Sequence, residues 1–123
     1  LGLGLLLLSG GHERAHYAFL AAAGAAALGR RVVLFATNAG CHALAADWRA
    51  ADPADRDAAI RAAGVAGLAE LRAAAQSLGV RLIACEAGLR MAAIAPAALL
   101  PGVEVGGIAG FLGATAGGQL LSL

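Results

Sequence analysis

Three short apolar runs, Leu3–Leu8, Arg31–Ala36 and Val80–Cys85, constrain this chain more than any other feature. Ser9-Gly10-Gly11 stops the first and Thr37-Asn38-Ala39-Gly40 the second. Apolar runs of this length bounded by turn residues read as strands buried on both faces. Between the first two runs, His12–Leu28 holds good helix formers and no proline, and Gly29 stands where a C-cap glycine belongs. A strand, a helix and a strand in so short a span form a βαβ unit with a right-handed crossover.

The rest of the chain repeats the alternation. Cys41–Ala51 is expected to begin as a helix and fray. Asp52-Pro53-Ala54-Asp55 then offers a cap, a first-turn proline and a favourable negative charge for a new helix. Gly64 and Gly67 interrupt that helix, after which Leu68, Leu71, Ala75 and Leu78 recur at helical spacing up to Gly79. Glu86–Ile94 reads as a short helix, and Pro96 fits the first turn of another ending by Pro101-Gly102. Val103–Val105, Ile108–Ala116 and Gln119–Leu123 read as strand, helix and strand. The pattern predicts one α/β domain over residues 1–123, an open parallel sheet of about five strands with helices on both faces.

Composition tests that reading. The chain is 60% hydrophobic and 14% charged, with a mean hydropathy of +0.77, which raises the question of a membrane. Much of the apolar total is alanine, which buries little area per residue. A spanning helix needs about 20 uncharged apolar residues. Leu1–Gly11 is too short, Ala15–Gly29 lies between arginines, and Val105–Leu123 is broken by six glycines. A membrane span is therefore not expected. Net charge of +1 leaves no basic surplus for nucleic acid. The leucine-rich start lacks the basic region of a secretory signal, and opening on Leu1 rather than Met is expected of a trimmed N-terminus. Two cysteines without an export signal point to free thiols in the cytoplasm.

Ligands of open parallel sheets collect at the carboxyl ends of strands, where strand order reverses. With the order 2-1-3-4-5, that point lies between strands one and three, whose ends carry Ser9-Gly10-Gly11-His12 and Cys85. Cys85, ahead of a helix start, is either a reactive thiol favoured by free N–H groups or a small buried hydrophobe. Cys41 is structural or a resolving thiol; its neighbour His42 points about 100° away on a helix. His12 and His16 share a helix face, but no third ligand accompanies them, so no metal is expected. His12-Glu13-Arg14 reads as a polar helix start at the rim of a site. The mixed charges from Asp47 to Arg61 read as a solvated surface. No phosphate-binding glycine loop is present, and no cofactor is expected.

Ser9-Gly10-Gly11-His12-Glu13-Arg14-Ala15, the helix end Gly24–Gly29, Gly79-Val80-Arg81-Leu82-Ile83-Ala84-Cys85 and Gly102–Gly107 follow one another as in a known family. In these blocks the chain resembles the DsrE/DsrF-like proteins, particularly the branch labelled peroxiredoxin or sulfurtransferase. The resemblance implies a flavodoxin-like sheet, homo-oligomers and a sulfur relay in which Cys85 carries a persulfide. Partners would be a sulfur-carrier protein or a rhodanese-like donor or acceptor. The anion would be stabilised around Ser9, Gly10, Gly11, His12 and Arg14. Relatives often have a methionine-rich segment after this cysteine, of which only Met91 remains, and Asn38–Ile60 matches least. The alternative reading is a non-catalytic, oligomerising interaction module whose cysteine only packs. Peroxide reduction ranks last, because the inferred fold is not thioredoxin-like.

Overall fold

The computed structural model describes residues 2–123; Leu1, part of the first stretch weighed as a membrane span, lies outside them. The strands are β1 (Leu3–Leu7), β2 (Val32–Ala36), β3 (Arg81–Cys85), β4 (Glu104–Gly106) and β5 (Gln119–Ser122). The helices are α1 (His12–Ala27), α2 (Arg56–Ala62), α3 (Leu68–Ser77), α4 (Glu86–Met91) and α5 (Ile108–Ala114). Gly29 and Gly79, both at φ near +80°, end α1 and α3 as the sequence predicts.

Within the sheet every strand pairing is parallel, with Leu5 opposite Leu34 and Leu34 opposite Leu82. The α/β class matches expectation, but the strand order does not. It is β4-β3-β2-β1-β5, not 2-1-3-4-5. The reason lies in β2, whose five residues Val-Val-Leu-Phe-Ala are all buried. A strand apolar along both faces belongs in the middle of a sheet, and the expected order would have left it at an edge.

This order also fixes where the helices go. The chain steps from β1 through β4 in one direction, so right-handed crossovers place α1, α3 and α4 over one face. The return across the sheet to β5 places α5 on the other. The main core accordingly joins Leu5, Leu34 and Leu82 to Phe19 of α1 and Leu68 of α3. The second core is small: Val33, Phe35, Ile83 and Phe111, with Leu6 and Cys85 packed against it. Among the described residues, no helix is long and apolar enough to cross a membrane.

Two expected helices are short 3-10 segments instead. Asn38–Leu44 and Arg49–Ala51 replace the helix from Cys41, and Pro96–Ala98 replaces the one from Pro96. The two regions take up each other's backbone groups: Ala46 N–H donates to Ala98 O, Leu100 N–H to Leu44 O, and Ala45 bridges Leu99. Groups used in these long-range bonds are no longer free for a helix ladder.

Phe111 is the only buried side chain of α5 and stacks on Phe35 at 5.1 Å between ring centroids. Phe111→Ala is expected to cost about 3–4 kcal/mol and to loosen α5 first. Urea unfolding with amide hydrogen exchange checks this; protection in α5 no weaker than in the wild type would contradict it.

Candidate functional site

Cys85 closes β3 and is the N-cap of α4. Its Sγ accepts the Gly88 N–H at 3.4 Å, and the side chain is half-buried. Glu86, whose charge would oppose an anion here, is tied 2.7 Å away to Arg90 on the helix surface. The second cysteine is in a different setting. Cys41 is wholly buried, donates to Ala36 O at 3.5 Å, and has its thiol pushed up to about 11 by burial, with the charge of Cys85 adding to the effect.

The Ser9–His12 loop and Cys85 do not form one pocket. Strands lie about 4.8 Å apart, so β1 and β3, with β2 between them, are roughly 10 Å apart. The 3-10 segment Asn38–Leu44 fills the intervening space. A Cβ on Gly10 would meet Ala39 Cβ at 2.7 Å, and one on Gly88 would meet Asn38 N at 2.8 Å. The loop still lies at a switch point, the one between β1 and β5, where Leu8 and Ser9 both donate to Leu123 O. Gly11 and Arg14 are exposed there, and Ser9 and Gly10 partly so.

His12 leaves the rim altogether. Only 3% exposed, its Nε2 lies 2.7 Å from Asp57 Oδ1, and Asp57 is equally buried. Among the described residues, His12 Nδ1 has no hydrogen-bond partner. The His16 ring stacks at 5.5 Å, so the two histidines do share a face, but His16 Nε2 bonds Ala66 O. Asp57 also accepts the Leu68 N–H at 2.8 Å and has Arg61 at 3.4 Å. Burial alone would raise its carboxyl. The Leu68 N–H, the His12 hydrogen bond and the His12 and Arg61 charges outweigh burial and hold it below its ordinary value. Asp52, buried as well, accepts the Arg56 and Asp57 N–H groups, capping α2 from outside while Pro53 stays out of the helix. Two of the acidic residues read as solvated surface are thus internal.

Arg72 was invisible in the sequence as anything but a surface charge of α3. It is buried and donates to three carbonyls, Ala43, Ala45 and Ala46, pinning the end of the segment that holds Cys41. Burial lowers its pKa. Hollows elsewhere include one of about 530 Å³ between Trp48, Asp57 and Arg61, and one of about 450 Å³ at the amino ends of the strands near Arg31 and Arg81. Among the described residues, no group of three or more metal-ligating side chains gathers.

Comparison with known proteins gives three findings. The sequence model described as the DsrE/DsrF/DrsH-like family matches residues 49–120, which include Cys85 but not the Ser9–His12 loop. The YchN protein from E. coli has a similar structure, with a TM-score of 0.72 and 14% identity over 100% of both chains. So does MTH1491 from Methanobacterium thermoautotrophicum, a protein of unknown function, at a TM-score of 0.62 and 18% identity, again over 100% of both chains. These likenesses show the fold. No curated protein sequence matches the chain.

The lowered Asp57 carboxyl gives a pH dependence of defined sign. A carboxyl held below its unfolded value, about 4, stabilises the fold above that pH, and the contribution is lost as pH falls through the lower folded value. Asp57→Asn is expected to cost about 3 kcal/mol at neutral pH and to flatten the acid limb of stability. Urea titrations from pH 7 to about 3 check this; unchanged slopes would refute it.

Proposed function

Because the chain belongs to the DsrE/DsrF/DrsH-like family, we propose that it is a sulfur-relay protein in which Cys85 carries a persulfide and yields the sulfane sulfur to an acceptor thiol. The observation that carries this reading is the contrast between the two thiols. Cys85 stands half-buried at a strand end with a backbone N–H directed at its sulfur, while Cys41 is sealed in the core. Such an N–H bonds a thiolate better than it bonds a thiol. The step is thiol exchange: the Cys85 thiolate attacks a donor persulfide, takes its outer sulfur and releases the donor thiolate. An acceptor thiolate then takes that sulfur and leaves Cys85 as before.

Donor and acceptor are proteins that present a thiol or persulfide, a sulfur-carrier protein or a rhodanese-like domain. The reading sets the protein in the cytoplasm, in keeping with two free cysteines. Ser9, Gly10, Gly11 and Arg14 would attract an anionic group at the switch point; they are not the immediate surroundings of the Cys85 sulfur. Homo-oligomerisation is part of the proposal. Val105, Ile108, Leu112, Leu120 and Leu121 stand about half exposed in a stretch without charge, and such apolar surface favours association. This exposed apolar surface also supports the alternative, an interaction module with a structural cysteine.

Incubation with a persulfide donor followed by mass spectrometry separates the readings. The relay predicts one added sulfur on Cys85, absent in Cys85→Ser. Equal labelling of the variant, or a native Cys85 that resists alkylation at neutral pH, would overturn it in favour of the interaction module.

A further inference from the structure

Cys41 has no part in the relay as described, yet its sulfur lies over the ends of β2 and β3. Its thiol donates to the carbonyl of Ala36, the last residue of β2. Ala36 pairs with Ala84, the residue before Cys85. The charge of Cys85 pushes the Cys41 thiol up and the Cys85 backbone draws it down, burial having the largest effect. Gly88 joins the two thiols. Its N–H reaches Cys85 Sγ at 3.4 Å, and a Cβ on it would lie 2.8 Å from Cys41 Sγ. The two sulfurs thus lean on one residue that has no side chain.

We infer that Cys41 is the resolving thiol of Cys85: it discharges an unclaimed persulfide as sulfide and closes an internal Cys41–Cys85 disulfide. This rests on the persulfide reading above and adds a second reacting residue to it. Cys85 Sγ gives up its Gly88 hydrogen bond, and the anionic outer sulfur takes the Cys41 proton. The Cys41 thiolate so formed attacks Cys85 Sγ. A bond forms between the two cysteine sulfurs while the bond from Cys85 Sγ to the outer sulfur breaks, and the protonated outer sulfur departs as hydrosulfide. Cys41 is oxidised from thiol to disulfide, and the sulfane sulfur is reduced to sulfide, so the electrons balance without an external oxidant. Burial keeps Cys41 protonated, which supplies that proton and shields the thiol from outside electrophiles. A loaded chain that meets no acceptor then empties itself, and a thiol reductant reopens it.

The test loads the full chain with inorganic polysulfide without oxygen and follows intact mass and non-reducing peptide maps with time. The wild type is expected to gain one sulfur on Cys85, then lose it together with two hydrogens, linking the Cys41 and Cys85 peptides and releasing one hydrosulfide per chain. Cys41→Ala and Cys41→Ser, both checked for native circular dichroism, should hold the sulfur roughly tenfold longer. Equal lifetimes in wild type and both variants, or a disulfide joining Cys85 of two chains, overturn the discharge and leave the relay standing. Absence of sulfur on Cys85 from the start overturns both.

Discussion

The carboxyl end of the sheet depends on one close backbone contact, that of Gly40 with Leu7. A Cβ at position 40 would run into the Leu7 carbonyl, and the Gly40 N–H donates to Leu8 O at 3.1 Å. Only glycine lets the Asn38–Leu44 segment lie this tightly across the strand ends. Gly10 and Gly88 extend the contact on either side, against Ala39 and Asn38. Arg72 fastens the far end through three carbonyls. Once seated, the segment determines what each neighbouring group can do. It buries Cys41 and separates the Ser9 loop from Cys85.

Much of this fold was legible in the sequence because it is written in short-range patterns. Leu3–Leu7, Val32–Ala36 and Arg81–Cys85 are apolar runs closed by turn or helix signals, and Gly29 and Gly79 carry the positive φ that ends a helix. The strand order is less legible, although a signal for it exists. The uninterrupted Val32–Ala36 run demands cover on both faces, which an edge position cannot give. The 3-10 segments were not legible, because long-range bonds such as Ala46 to Ala98 override local helix preference.

The same distinction divides the site. Cys85 could be placed from its own neighbourhood, as the last residue of a strand followed by a helix start. The His12–Asp57 pair joins residues 45 apart, and nothing in His12-Glu13-Arg14 or in the mixed charges around Asp57 signals that two of them are internal. Arg72 is similar: a single arginine on an amphipathic helix reads as surface until its three carbonyl partners are known. Side chains whose function is to join distant segments are the ones a linear pattern hides.

The two borders of the sheet are guarded unequally. At one, Arg81 and Glu104 pair at 2.7 Å across β3 and β4 and set charge beside the outer strand. At the other, Gln119–Ser122 is exposed along its whole length and carries no charge or proline. Charges, prolines and bulges are what keep a free row of N–H and C=O groups from templating another chain. β5 has neither of the first two, so its main chain is open to being extended by a strand from outside. An exposed, uncharged edge of this kind is where pairing with a strand of another chain would begin.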